Sequence, residues 1–197
     1  MARAIASRYD RLMSALPKSP MSAEDYLAWV AERPGRYELV DGVVVAHAAE
    51  RAAHAAMKGE IYVAFRDAIA KRGAPCHALP DGMAVRIGKT TIYEPDALVY
   101  CGPKIPPDAL FLETPTIVVE VLSPSTGRND HARKLLGYFS VPSVMHYLVV
   151  DPDEPIVVHY RRQADGALRT TILNEGVVTL DPPGLAVDIG ALYPARA

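Results

Sequence analysis

The sequence has few cysteines and no long apolar segment. Only Cys76 and Cys101 occur, without a CxxC spacing, which argues against a thiolate zinc site and favours reduced thiols in the cytoplasm. No window approaches the length of a membrane span, and the first twenty residues contain no apolar run that is long enough for a signal peptide. We therefore expect a cytoplasmic protein that does not associate with membranes.

An excess of one charge is also missing. The formal net charge is -2 and the pI is about 6.3, which argues against a generally basic nucleic-acid coat but leaves one local basic face open. No strand is followed by a glycine-rich phosphate loop, and neither an HExxH zinc motif nor a serine nucleophile elbow is present. These absences argue against P-loop, zinc-peptidase and serine-hydrolase chemistry.

What the sequence does contain is enough apolar material for one folded domain. Of its 197 residues, 50% are hydrophobic and 22% are charged, which is typical of a globular chain. Residues 1–20 carry four basic side chains and end in the prolines Pro17 and Pro20, so we predict a flexible arm there. A single domain is expected over residues 21–197.

Hydrophobic periodicity predicts a mixture of helices and strands. Ser22 with Asp25 indicates a helix start, Asp41-Gly42 indicates a hairpin, and residues 50–71 show helical spacing. Residues 73–82 are predicted to interrupt regular structure before further strands and a helix that carries Lys134. The order indicates an α/β or α+β fold, in which helices pack on the faces of a sheet, with an N-terminal helix-hairpin and a small C-terminal strand-rich extension.

Two acidic residues stand out within the predicted strands. Glu120 lies in the apolar run 116–122, and a carboxylate inside a buried strand requires a nearby cation, either a side chain or a metal. Asp96 lies near the start of another predicted strand, which precedes the run 116–122 in the sequence. If the two strands are neighbours, both carboxylates converge at one end of the sheet, and buried ionisable groups of this kind concentrate at functional sites.

Other residues have competing interpretations. Lys134 is either an exposed helix lysine paired with Asp130 or, if its helix folds back over the sheet, a partner of Glu120. Arg133 is an alternative partner for Glu120. His54 lies on the apolar stripe of the predicted helix and is more typical of a core histidine than of a ligand. Alternation along the hairpin strand predicts that Glu38 faces solvent.

Several segments together resemble the Uma family of restriction endonuclease-like proteins, a branch of the PD-(D/E)XK nuclease superfamily. The resemblance covers most of the chain from Met21 onward, and its order and spacing are more specific than any one segment. The matching segments are Met21-Ser22-Ala23-Glu24-Asp25-Tyr26-Leu27, Arg36-Tyr37-Glu38-Leu39-Val40-Asp41-Gly42, Glu94-Pro95-Asp96, Val118-Val119-Glu120-Val121-Leu122-Ser123-Pro124-Ser125-Thr126, Lys134-Leu135-x-x-Tyr138 and Tyr147-Leu148-Val149-Val150-Asp151-Pro152.

The resemblance implies a restriction endonuclease-like core, in which helices flank a mixed central sheet. It also implies that Asp96 and Glu120 are the two acidic motif residues. These two carboxylates would hold Mg²⁺, with Mn²⁺ as an alternative. In the superfamily a lysine follows the second acid by two places, but Leu122 stands there, and the resemblance implies that Lys134 has taken this role. Glu38 and His54 also match family positions, so both become candidate catalytic residues.

Three functions remain open at this point. The first is a Mg²⁺-dependent DNA endonuclease, for which a homodimer would suit the cutting of two strands. The second is a nuclease-fold protein that binds nucleic acid or a partner protein without cutting, which the acidic pI and Leu122 favour. The third is hydrolysis of a small phosphate ester, for which no substrate loop is recognisable. The presence of both Asp96 and Glu120 favours the endonuclease.

Overall fold

The structure, a computed structural model, describes residues 16–123 and 128–193, and its packing divides them into two compact units. The first unit comprises the described residues up to Ala48 together with Arg86–Tyr93, and the second comprises Ala49–Val85 and the described residues from Glu94 onward. The single domain from residue 21 stays a prediction. The predicted arm, as far as residue 15, lies outside the described residues.

The described part of the chain contains three α-helices and thirteen strands. In chain order they are α1 (Ala23–Val30), β1 (Tyr37–Val40), β2 (Val43–Ala46), α2 (Ala52–Arg72), β3 (Cys76–Pro80), β4 (Ala84–Arg86), β5 (Ile92–Tyr93), β6 (Ala97–Cys101), β7 (Phe111–Leu112), β8 (Ile117–Val121), α3 (Arg128–Ser140), β9 (His146–Val150), β10 (Val157–Arg162), β11 (Leu168–Leu173), β12 (Val177–Leu180) and β13 (Leu185–Asp188), followed by a 3₁₀-helix at Gly190–Leu192.

The first unit contains the predicted helix and hairpin. Helix α1 begins after Ser22, whose Oγ accepts a hydrogen bond from the backbone N–H of Asp25 at 3.1 Å, as the capping pattern predicts. Strands β1 and β2 pair antiparallel around Asp41-Gly42, whose φ angles of 49° and 83° are the positive values that a two-residue hairpin turn requires. Strand β5 adds to β1 through Leu39 and Ile92.

The second unit is built on a six-stranded sheet. Its strand order is β11-β10-β9-β8-β6-β3, with β8 and β9 parallel and every other neighbouring pair antiparallel. The sheet is therefore mixed, as predicted. A separate parallel pair, formed by Ala84 and Val85 of β4 with β7, also belongs to this unit.

Helices cover both faces of this sheet at β8. Met57, Ile61 and Phe65 of α2 belong to one buried core with the odd-numbered residues Ile117, Val119 and Val121 of β8. Because side chains alternate along a strand, Val118 and Glu120 face the opposite side, where α3 packs with Tyr138 against Tyr147 of β9. The flanked sheet that the sequence predicts is thus observed.

The structure corrects two details around the disulfide. Residues 76–80 form strand β3 rather than an interruption, because they pair with β6 over their whole length. Cys76 and Cys101 face each other in this pairing and are joined as a disulfide, contrary to the expectation of reduced thiols.

The C-terminal strands divide into two groups. Strands β10 and β11 continue the central sheet, whereas β12 and β13 form a separate hairpin whose Leu180 and Leu185 enter the core beneath α2. Within the described residues, no helix has both the length and the apolar character that crossing a bilayer requires.

Candidate functional site

The two acidic residues lie at the same end of neighbouring strands. Strands β6 and β8 pair antiparallel, the last Cα partners are Ala97 and Val119, and Asp96 donates its backbone N–H to the carbonyl of Val119 at 3.0 Å. Asp96 precedes the start of β6 and Glu120 lies at the end of β8. The condition set from the sequence, that the two strands be neighbours, is therefore met.

Glu120 is held by two side chains from α3. The Lys134 Nζ donates to both carboxylate oxygens of Glu120, at 2.9 and 3.0 Å, and the Tyr138 hydroxyl donates to Oε1 at 2.6 Å. Lys134 is only 6% exposed, so its interpretation as a surface lysine is wrong. Arg133, the alternative partner, bonds Asp130 at 2.8 Å.

Asp96 is buried and carries a raised pKa. Its Oδ2 accepts a hydrogen bond from the backbone N–H of Val121 at 2.7 Å. Burial, followed by the negative charge of Glu120, raises the pKa of Asp96 to about 6, although the Val121 hydrogen bond, a protonated His54 and the charge of Lys58 act in the opposite direction. The two carboxylates are therefore close enough to repel one another.

Helix α2 and the residues just before it approach Asp96 from the other face. The His54 Nε2 lies 3.0 Å from the carbonyl oxygen of Val121 and 3.6 Å from Asp96 Oδ2. Because a carbonyl can only accept, this contact places the proton of a neutral His54 on Nε2. The other ring nitrogen, Nδ1, lies 3.5 Å from Glu50 Oε2, is buried, and makes no hydrogen bond within the described structure.

Lys58 lies one helical turn after His54 and contacts three carboxylates. Its Nζ is 2.6 Å from Glu50 Oε1, 2.9 Å from Asp81 Oδ2 and 3.6 Å from Asp96 Oδ1. Burial alone would lower the pKa of Lys58, but its hydrogen bonds to Glu50 and Asp81 and the charge of Asp96 outweigh burial and raise that pKa. Lys58 is thus a charged internal cation.

One group of side chains in the described residues has the spacing of metal ligands. Glu50, His54 and Asp96 each present a ligand atom, and the three atoms lie within 4.8 Å of one another. Carboxylate oxygen and imidazole nitrogen are both ordinary ligands of divalent ions. A carboxylate and histidine site able to hold a metal is therefore present.

Glu38 belongs to the first unit, and the prediction that it faces solvent is wrong. Its residue surface is 5% exposed, and its Oε2 lies 3.7 Å from Nε2 of His47. Its neighbours Leu39 and Val40 are buried as well, so β1 does not follow the alternation of a half-exposed strand. Its catalytic role stays a prediction.

Sequence reasoning missed Glu50, Lys58 and Asp81. The first two were detectable, because Glu50, His54 and Lys58 follow one another at intervals of four residues and so share one side of a helical stretch. Asp81 had no such signal, since Pro80-Asp81-Gly82 has the composition of an ordinary turn.

Comparison with known proteins agrees with this architecture. A solved structure from Anabaena variabilis, described as a putative nuclease belonging to DUF820, superposes with a TM-score of 0.71 at 19% identity, covering 88% of this chain and 98% of that one. Sequence similarity extends to the uncharacterized protein slr1290 of Synechocystis sp., which is 28% identical over 151 residues, or 76% of this chain and 78% of that protein.

The family comparison also covers most of the chain. The model of the Uma2 family, described as "Putative restriction endonuclease", matches residues 23–192, which include α1, the central sheet and the acidic residues Asp96 and Glu120. On this evidence the chain belongs to the Uma2 family and has its nuclease-like mixed α/β fold.

Proposed function

We propose that this protein is a metal-dependent DNA endonuclease that hydrolyses phosphodiester bonds with Mg²⁺ or Mn²⁺. The observation that carries the proposal is the convergence of Asp96 and Glu120 at one end of the β6–β8 pair, beside the buried cation Lys134. The family description and the description of the structural neighbour as a nuclease support the same reaction class.

The acidic residues fit a divalent cation. Burial and the charge of Glu120 both raise the pKa of Asp96, which means that its ionised form is destabilised where it stands. A divalent ion between the two carboxylates would offset that cost, and Mg²⁺ prefers one or two carboxylates with water completing its shell. When bound, the ion would supply an activated water and neutralise charge on the phosphoryl oxygens.

The side chains of this chain would position the reacting groups. The Val121 N–H fixes the orientation of Asp96, and Tyr138 fixes that of Glu120. Lys134 is held against Glu120 by two hydrogen bonds, so its ammonium is placed to balance negative charge that develops on the phosphate during attack. This assigns to Lys134 the charge-balancing role of the superfamily's motif lysine, whose place Leu122 occupies in this chain.

The proposal extends to a homodimer in the cytoplasm that cuts both strands of duplex DNA. Closed two-fold dimers are the commonest homo-oligomers, and two copies of one site suit two antiparallel strands. Glu38 and His54 are included as further candidate site residues, because both are buried acid–base side chains.

The test is a plasmid-cleavage assay. Supercoiled DNA is incubated with the full chain and Mg²⁺ or Mn²⁺, and Asp96→Asn and Glu120→Gln serve as inactive comparisons. We expect the wild type to nick or linearise the plasmid and both variants to lose at least about a hundredfold in rate, as for the removal of one charge-stabilising group. Metal-dependent binding of DNA without cleavage would instead identify a non-cutting nuclease-fold protein.

A further inference from the structure

We propose that Glu50, His54 and Asp96 form a nitrogen-containing metal position that takes a first-row transition ion of the Mn²⁺ class in preference to Mg²⁺. This inference deepens the proposed function, since it names the ion and places two of its ligands on or beside α2 rather than on the central strands. The sequence analysis had assigned the metal to Asp96 and Glu120 alone.

The first argument is geometric. The ligand atoms of the three residues lie within 4.8 Å of one another, a spacing that one ion can bridge. His54 is 7% exposed and its Nδ1, which makes no hydrogen bond in the described structure, lies 3.5 Å from the carboxylate of Glu50. In the neutral histidine, two electron pairs would face each other there without a proton between them. A cation between the two atoms would satisfy both.

The orientation of the histidine supports the same conclusion. The contact of Nε2 with the carbonyl of Val121, at 3.0 Å, fixes the ring and leaves Nδ1 as the electron-pair donor. Histidine ligands of metals commonly donate their other ring N–H to a carbonyl or carboxylate in this way. Through Nε2, His54 thus makes the hydrogen bond to the protein that metal-binding histidines commonly make with their non-ligating nitrogen.

The balance of charge leaves room for a divalent ion. Glu50, Asp81 and Asp96 contribute three carboxylates, and Lys58 is the cation in contact with all three. Negatively charged groups thus outnumber the ammonium of Lys58 within this set of four side chains, which favours a divalent cation beside them. Lys58 would keep its hydrogen bond to Asp81, at 2.9 Å, while Glu50 turned to the ion.

The identity of the ligands determines the class of ion. Mg²⁺ is held through oxygen atoms and dehydrates reluctantly, whereas imidazole nitrogen suits transition ions and their affinity for mixed nitrogen and oxygen sites is generally higher. The nitrogen of His54 therefore favours Mn²⁺, or Co²⁺ as its spectroscopic substitute, over Mg²⁺.

The experiment measures binding of the metal alone to the full chain after removal of metals with EDTA. Calorimetric titration with Mn²⁺ and Mg²⁺ compares wild type, His54→Ala, Glu50→Gln and the control His77→Ala. The His77 ring packs at an angle against Tyr100 and contacts the Gly102 carbonyl. We expect His54→Ala and Glu50→Gln each to weaken Mn²⁺ binding by about tenfold or more, as the loss of a group from a metal site commonly does. The control should leave Mn²⁺ binding unchanged.

A spectroscopic readout identifies the nitrogen ligand directly. Pulsed electron paramagnetic resonance of the Mn²⁺ complex should show coupling to a ¹⁴N nucleus in wild type and Glu50→Gln, and none in His54→Ala. Because Glu50 is an exposed residue, its substitution keeps the test informative if the histidine variant folds poorly. Unchanged Mn²⁺ affinity in Glu50→Gln together with no ¹⁴N coupling in wild type would overturn the inference.

The two proposals fail in different ways. Mn²⁺ binding that depends on Asp96 and Glu120 but not on His54 or Glu50, with plasmid cleavage intact, would remove this metal position and leave the nuclease. Mn²⁺ binding that depends on His54 and Glu50 in a protein that cuts no plasmid would keep the metal position and remove the nuclease.

Discussion

At the scale of single residues, the structure separates two lysines that have different tasks. Lys134 is hydrogen-bonded to Glu120 on the α3 face of the sheet, whereas Lys58 lies among Glu50, Asp81 and Asp96 on the α2 face. Both are buried, but only Lys58 touches the group with metal-ligand spacing. Substitutions at the two positions should therefore have different consequences.

Lys134→Ala is expected to reduce cleavage strongly while leaving Mn²⁺ affinity nearly unchanged. The ammonium balances charge on the phosphate and is not a metal ligand, so its loss should lower kcat by about a hundredfold or more. The measurement is single-turnover cleavage beside calorimetric Mn²⁺ titration. A variant that cuts at the wild-type rate would reduce Lys134 to a structural partner of Glu120.

Lys58→Met is expected to destabilise the metal-free protein and to make its stability depend on metal. Removing the ammonium breaks its ion pairs with Glu50 and Asp81. We expect a loss of about 3 kcal/mol, the lower end for breaking a buried ion pair, because Glu50 and Asp81 are partly exposed. Urea unfolding in EDTA and in Mn²⁺ measures the effect, with exposed Lys71→Met on the same helix as the control. Equal destabilisation with and without Mn²⁺ would contradict this expectation.

Glu120→Gln should also lower stability in EDTA, because it removes the negative charge to which the buried ammonium of Lys134 donates two hydrogen bonds. The expected loss is about 3 kcal/mol, since the amide oxygen of glutamine still accepts a hydrogen bond. A neutral or stabilising effect would show instead that repulsion between Glu120 and Asp96 outweighs the pair with Lys134. Denaturant unfolding of the variant beside Glu120→Asp, which keeps the charge, distinguishes the two outcomes.

At the scale of secondary-structure elements, a pair of buried histidines joins β9 and β10 to the loop between β12 and β13. His146 Nδ1 lies 2.9 Å from His159 Nε2, and His146 Nε2 lies 3.0 Å from the carbonyl oxygen of Pro182. The pKa of each histidine is lowered to about 4, mainly by burial. The charges of His159 and Arg161 add to the shift at His146, where hydrogen bonds to the Pro182 and Asp181 backbone oppose it, and the charge of Arg161 adds to the shift at His159.

Stability should therefore fall as the pH decreases from about 6.5, the pKa of an unfolded histidine, towards 4. In that range the unfolded chain binds more protons than the folded one, and each pKa unit corresponds to about 1.4 kcal/mol. Urea unfolding at pH 7.5, 6 and 5 should show a decline that is smaller in His159→Gln. Comparing the two proteins cancels the opposite contribution of Asp96, whose raised pKa favours the folded state at low pH. Parallel pH curves would exclude the histidine pair as the cause.

Most elements were predictable because their signals are local. The Ser22 cap, the Asp41-Gly42 turn and the apolar spacing of α2 all act within a few residues, and each led to the observed element. Strand β3 was missed because its pairing with β6, 25 residues away at the disulfide, is what makes it a strand. The convergence of Asp96 and Glu120 was predictable, because Asp96 directly precedes one strongly patterned strand and Glu120 lies within another.

The candidate metal position was less predictable, because it depends on side chains that meet from distant parts of the chain. The position of His54 on an apolar helical stripe fits an ordinary core histidine equally well. Only the contact of α2 with the end of β8, where His54 meets the Val121 carbonyl, shows that its second nitrogen faces Glu50. Pairings of this kind depend on tertiary packing and leave no periodic trace in a single sequence.

At the scale of the whole molecule, the net charge bears on how DNA would be bound. A chain with a formal net charge of -2 attracts DNA phosphates only weakly, and the acidic cluster formed by Glu50, Asp81, Asp96 and Glu120 repels them. We expect duplex DNA to bind weakly in EDTA and at least about tenfold more tightly with Ca²⁺, which replaces the catalytic ion without supporting cleavage. Fluorescence anisotropy with a labelled duplex measures this. Equal affinity in EDTA and Ca²⁺ would place the DNA surface away from the acidic cluster.

The two edges of the central sheet have a consequence for the behaviour of the protein in concentrated solution. An unpaired edge strand can recruit another chain and start aggregation, and natural sheets oppose this with proline, charge or short strands. Edge strand β3 ends in Pro80 and is covalently tied to its neighbour β6, and the opposite edge, β11, presents Arg169 and two threonines. Ile172, at 71% exposure, is the exception on β11, which makes this residue the first position to replace when a sample is prepared for crystallisation.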